Sequence, residues 1–196
     1  MQRIAQYLLG NPTELILSID DTLIKKFYAR FMQGSGRFFD TKLGRKITAY
    51  RLLTAAVGNL DYAIPIGLAL LFDPELLAPD QPQPTKLDHI SKFYETATKL
   101  FPQTRIKIVA DGWFASIELL TWAQQNNVHL VLRCHRNRVI TYRGNKVRVD
   151  ALIELIPKGR QMARTIAADW HKLPVFITAE RRFDTGPALN IIKDLI

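Results

Sequence analysis

The sequence predicts an α/β fold: a mixed, partly parallel sheet with helices packed on it. Three observations point there. Residues 15–19, LILSI, form a short, continuous apolar run of the kind that makes a buried strand. The runs LLTAAVG (52–58) and AIPIGLALLF (63–72) are separated by a short polar break, NLDY, as in a β-hairpin. From Thr85 onward, helical and strand patterns alternate, which requires crossover connections and hence parallel strands. A chain of 196 residues, 47% hydrophobic and 23% charged, can bury one sizeable core or one domain with an insertion.

The elements follow in order. LILSI is the first strand and is expected to end at Asp20. Phe27 to Tyr50 is glycine-dotted and basic, with Arg30, Arg37, Lys42, Arg45 and Lys46, and leads into the hairpin. DPELLAPDQPQPTK (73–86) holds four prolines and reads as a loop. A helix begins near Thr85, because Leu87, Ile90, Phe93, Tyr94, Ala97 and Leu100 recur at helical spacing, and Pro102 stops it. RIKIVA (105–110) is the next strand, ending in Asp111. A second helix spans roughly Phe114 to Gln125, closed by Asn126-Asn127, and HLVLRC (129–134) is a further strand. Beyond residue 135 the pattern turns β-rich. VITYRGNKVRV (139–149) alternates around Gly144-Asn145 like a hairpin, and LPVFITA (173–179) is another strand.

Charge narrows the partners. Against 18 Asp and Glu stand 27 Lys and Arg, a net charge of +9 and a pI near 9.8, a balance that suits nucleic acid. Cys134 is the single cysteine, so no intrachain disulfide forms and a reducing cytoplasm is the expected home. MQRIAQYLLG lacks the apolar length of a secretion signal. IPIGLALLF (64–72) is too short to cross a bilayer, so no membrane is expected.

The chemistry concentrates in ELILSIDDTLIKK (14–26), where an apolar run meets two carboxylates and a threonine. Asp111 ends the strand at 105–110 in the same way. In open α/β sheets ligands bind outside the carboxyl ends of strands. Two carboxylates converging there repel unless a cation lies between them. Mg²⁺ takes oxygen ligands and keeps waters and phosphate oxygens in its shell. The plain alternative is that each aspartate suits a turn or helix cap. Two kinds of Mg²⁺ enzyme open on such a strand: haloacid dehalogenase-type phosphatases and nucleases of the ribonuclease H-like fold. The phosphatase motif, Asp-x-Asp-x-Thr, aligned on Thr22 places Ser18 where the nucleophilic aspartate belongs, and Asp111 is followed by GWFAS rather than by a second acid. That reading is rejected.

Five stretches in order carry a resemblance to DDE transposases of bacterial insertion sequences: LILSIDDTLIKK, GSGRFFDTKLGRKITAYRLLTAAV, PTKLDHISKFYETA, IKIVADGWFAS and HLVLRCHRNRVI. The resemblance covers most of residues 14–140 and implies a ribonuclease H-like mixed sheet with flanking helices. By it, residues 1–135 would be the first part of the catalytic core and 136–196 a basic, β-containing insertion. It implies DNA strand cleavage and transfer at transposon ends, hence DNA transposition and recombination, with Mg²⁺ or Mn²⁺ as cofactor. DNA, both transposon ends and target, would be the partner, and a homodimer the working assembly. Asp20 would be the first catalytic acid and metal ligand and Asp111 the second. Asp21 is the alternative for the first role, because a one-residue slip exchanges sheet faces. Thr22, Lys25 and Lys26 would support the site or touch phosphate.

The third acid of such enzymes is a Glu in a Tyr-x-x-Arg-x-x-x-Glu-x-x-x-x-x-x-Lys element. None of Glu154, Glu180 or Asp184 sits in that context, so a truncated transposase copy is expected. A non-enzymatic DNA-binding remnant and another ribonuclease H-like nuclease remain open alternatives. Residues 131–182 contain twelve Lys or Arg and four acids. Arg133, Arg136, Arg138, Arg143, Lys146 and Arg148 are the expected DNA-contacting cations there, together with Lys25 and Lys26 near the first strand. Trp113 either stacks on a displaced base or packs beside the sheet. Cys134 and His135 lack the further ligands of a zinc site.

Overall fold

The computed structural model describes residues 7–26, 34–73, 84–155, 162–182 and 186–193. Arg30, most of the expected proline loop, Lys158, Arg160 and Asp184 lie outside the described residues. The chain divides into two compact units, Met1–Arg105 and Ile106–Ile196.

The first unit contains β1 (Glu14–Lys25), β2 (Gly36–Asp40), β3 (Arg45–Gly58), β4 (Ala63–Leu71) and helix α1 (Lys86–Leu100). The pairings of β1, β2 and β4 with β3 are antiparallel. β1 runs along one side of β3, from Ile16 opposite Gly58 to Lys25 opposite Ala49. On the other side, β2 pairs with the first part of β3 and β4 with the rest, with a bulge at Ala55/Ala56. The expected hairpin is therefore present. The expected end of β1 at Asp20 is not: the strand continues to Lys25. The apolar run stops at Ile19, but the backbone groups of 20–25 find ladder partners on β3 whatever their side chains.

Alternation along β1 and β3 sets the core. Leu15, Leu17 and Ile19 are buried with Leu53, Ala55 and Val57. Helix α1 covers this side, with Ile90, Phe93 and Ala97 buried. Thr85 caps it as expected: Thr85 Oγ1 accepts from Asp88 N at 3.2 Å, and Thr85 N donates to an Asp88 carboxylate oxygen at 2.7 Å, a capping box. At the other end Phe101 N donates to Ala97 O, and Pro102 follows. Phe93 lies directly on Gly67 of β4, where a Cβ would overlap its ring. Gly67→Ala must push the helix outward. It is expected to cost about 1–2 kcal/mol, read as a lowered midpoint in urea unfolding with the m-value unchanged.

The second unit contains β5 (Arg105–Ala110), a 3₁₀ turn at Gly112–Phe114, helix α2 (Ile117–Gln125) and β6 (His129–Arg133). It continues with β7 (Val139–Tyr142), β8 (Asn145–Arg148), a 3₁₀ stretch at Val149–Leu155, β9 (Met162–Trp170), β10 (Leu173–Arg182) and β11 (Gly186–Lys193). β5 and β6 are parallel, joined through α2, as the alternating pattern requires. The helix starts at Ile117 rather than Phe114, because Ser116 caps it, its Oγ accepting from Leu119 N at 3.2 Å. Beyond β6 the sheet order is β11, β10, β9, β7 and β8, all antiparallel. Ile106, Ile108, Leu130, Leu132, Leu119, Leu120, Ala123, Ile166, Val175 and Ile177 supply its core.

The β7–β8 turn is formed by Arg143 and Gly144, at φ 51° and 78°, one residue before the expected position. Two left-handed residues match the twist of the flanking strands. The β9–β10 turn does the same with His171 and Lys172, at φ 50° and 68°, without a glycine. The α/β class and the mixed pairing expected of a ribonuclease H-like core are present. No helix among the described residues is long and apolar enough to cross a membrane.

Candidate functional site

Extension of β1 through both aspartates places them on opposite faces of the strand. Asp20 shares its face with Ser18 and Thr22 and is exposed. Its carbonyl oxygen accepts from Thr54 Oγ1 at 3.3 Å across the ladder. Asp21 faces the other way, toward α1. Its Oδ2 accepts from Arg51 Nη2 at 2.6 Å, Arg51 Nε at 3.2 Å and Lys86 Nζ at 2.6 Å. Arg51 stands diagonally across the β1–β3 ladder, and Lys86 is the first residue of α1. Burial pushes the Asp21 carboxyl up, but the hydrogen bonds and charges of Lys86 and Arg51 hold it below the usual carboxylate range. Asp21 is thus an ion-pair centre tying helix to sheet, and its two cations escaped the sequence reading. Arg51 becomes legible only once strand register is known.

The supporting lysines differ as well. Lys25 forms an ion pair with the buried Asp40. Asp40 also accepts from Lys42 N at 2.8 Å and Leu43 N at 3.1 Å, closing the β2–β3 turn. The Lys25 ammonium and these backbone donors hold the Asp40 carboxyl below its ordinary value. Lys26 is half-buried and donates its backbone N–H to Thr48 O. Thr22 is exposed on the Asp20 face.

In the second unit Asp111 follows β5 and is half-buried. Its Oδ1 accepts from Gly112 N at 2.6 Å, and its carbonyl accepts from Phe114 N at 3.0 Å, so it caps the 3₁₀ turn. Gly112 is packed tightly: a Cβ there would lie 2.9 Å from Arg133 O and 3.0 Å from His135 Nε2. This closeness brings His135 beneath the exposed Trp113, with ring centroids 5.3 Å apart at 74°. Cys134 is buried beside them, and desolvation pushes its thiol up to about 11, which keeps it inert.

The expected DNA-contacting cations of this unit divide in two. Arg138 is half-buried, its guanidinium 5.3 Å from the Trp170 ring centroid and its Nη2 donating to Ala115 O at 3.2 Å. Arg148 is matched by a bidentate pair to Asp150, at 2.6 and 3.1 Å. Arg143 lies over the Tyr142 ring in the β7–β8 turn, 5.1 Å from its centroid. Arg133 at the end of β6, Arg136 and Lys146 are exposed. Among the described residues no group of three or more His, Cys, Asp or Glu is placed to hold a metal ion.

An exposed strand-borne carboxylate, a second acid after a parallel strand and a basic surplus are features that a metal-dependent nuclease would use. More closely, the chain belongs to the DDE superfamily endonuclease family, whose model matches residues 2–172. Among solved structures it is similar to the NurA nuclease from Sulfolobus solfataricus, at 11% identity and a TM-score of 0.41, over 100% of this chain and 74% of that one. No curated protein sequence matches it.

Proposed function

We propose that the chain carries catalytic-core elements, two of the three acids, of a DDE-type DNA transposase of an insertion sequence, an enzyme that cuts and joins DNA strands at transposon ends. The observation that carries the reading is Asp20: in a family of endonucleases, the acid of the hydrophobic-Asp-x-Thr pattern stands exposed on a strand, while its neighbour Asp21 is consumed by Arg51 and Lys86. In this reading Asp20 and Asp111 are each a metal-ligating carboxylate, residues 1–135 form the first part of the catalytic core, and 136–196 form a basic insertion.

The donor chemistry fits Mg²⁺ or Mn²⁺: both are carboxylates, the hard oxygen donors such ions take, one or two of which suffice when water and phosphate complete the shell. The Gly112 N–H bond fixes Asp111 Oδ1 and orients the group. When bound, the ions supply Lewis acidity to the attacking and leaving oxygens on phosphorus. The protein's part is to present each carboxylate: Asp20 from β1 and Asp111 from the turn after β5. Lys26, Arg133 and Lys146 draw in the phosphate backbone without reading its sequence.

A second reading, DNA binding without chemistry, draws on Asp111 acting as a turn cap. Nicking of supercoiled plasmid in Mg²⁺ or Mn²⁺ separates the two. The parent chain is expected to nick, and Asp111→Asn to lose that activity while still binding DNA. Equal nicking by both removes Asp111 from the mechanism. Binding without nicking by the parent selects the second reading.

A further inference from the structure

The second unit contains an open cleft of about 510 Å³ lined by Trp113, His135, Asn137, Arg138, Trp170 and His171, with Val139 at its side. We propose that this cleft receives one unpaired nucleotide of a nucleic-acid strand, its base stacked on Trp113 and its phosphate met by Arg138 and the two imidazoles. The inference takes from the function proposed above only that the ligand is nucleic acid.

Four features argue for it. The size suits a small ligand of that kind. Trp113 is 62% exposed, an unusual place for so large an apolar ring. Its contact with His135 is close to perpendicular, so at least one indole face stays open for a flat partner. Finally, the lining holds a guanidinium and two imidazoles but no carboxylate, which favours an anion over a cation.

The cleft is also built rather than incidental. Arg138 is fixed by Trp170 on one side and Ala115 O on the other. His135 is wedged against Gly112. His171 is held at φ 50° in a turn whose register is set by Trp170 opposite Leu173. Aromatic stacking combined with a positive groove is the chemistry by which unpaired strands are bound without sequence preference. A base inside a duplex offers no free face, so a paired nucleotide does not enter.

The test is fluorescence anisotropy in EDTA, so that no cleavage is needed. Three labelled DNAs are compared: a blunt duplex, the same duplex with a single-stranded extension, and that extension built of abasic sugars. The base-containing extension should tighten binding about tenfold over the blunt duplex, and the abasic one should not. Trp113→Ala should erase the advantage, with blunt-duplex affinity and thermal midpoint kept, while Trp113→Phe retains most of it. The proposal fails if the abasic extension binds as tightly as the normal one, if blunt and extended duplexes bind alike, or if Trp113→Ala keeps the preference. A chain that prefers the extension yet does not nick plasmid keeps this inference and loses the nuclease reading.

Discussion

Asp20→Asn is expected to abolish metal-dependent nicking and leave the fold untouched. The side chain is exposed, so its loss removes no packing and strands no charge. A metal ligand, by contrast, acts on the transition state. Metal-ion stabilisation is worth several kcal/mol, and about 4 kcal/mol corresponds to a fall of roughly a thousandfold in rate. The two readouts are plasmid nicking and a urea melt. An Asp20→Asn protein that nicks at the parental rate takes Asp20 out of the site, and one that melts early shows a structural role instead.

Asp21→Asn is expected to do the reverse. It leaves Arg51 and Lys86 without their shared carboxylate at the junction of β1, β3 and α1. Breaking a fully buried pair costs about 3–5 kcal/mol. Arg51 and Lys86 are each about a third exposed, so the expected loss is smaller, about 2–3 kcal/mol. The pH dependence carries a sign of its own. The folded carboxyl titrates below the ordinary aspartate value of 3.8. Its stabilisation is therefore complete above that value and is lost as pH falls through the folded value. The parent and Asp21→Asn should differ in stability at neutral pH and converge in acid below about pH 4. A constant gap down to pH 2 would contradict the ion-pair account.

The different surroundings of the two adjacent aspartates, one exposed and one ion-paired, mark what the sequence could and could not reveal. Which stretches become strands and helices was largely visible, since β1, the β3–β4 hairpin, α1, β5, α2 and β6 each carry an apolar pattern or a cap. Where β1 ends was not, because polar residues 20–25 are held by backbone pairing with β3, which leaves no hydrophobic trace. All of β2, β9 and β11 and the start of β3 were missed for a related reason. Their alternation is broken by glycine, lysine or alanine, and neighbouring strands supply the order. Asp111 as a cap was among the readings open from sequence. The Asp21 cluster was not, since the pairing of Arg51 depends on ladder register and that of Lys86 on how α1 docks. Likewise Trp170 and His171 reach the Trp113 cleft only through the β9–β10 turn.

The position of β11 between β6 and β10 has a consequence for how the protein is made. On the ribosome β6 emerges early, with one edge hydrogen-bonded to β5 and the other waiting for a strand not yet synthesised. Until that strand arrives, the waiting edge of β6 is an open template for another chain. Closing so long-range a pairing is slow. The interval between the emergence of β6 and that of β11 is therefore when the nascent second unit is most open to pairing with another chain.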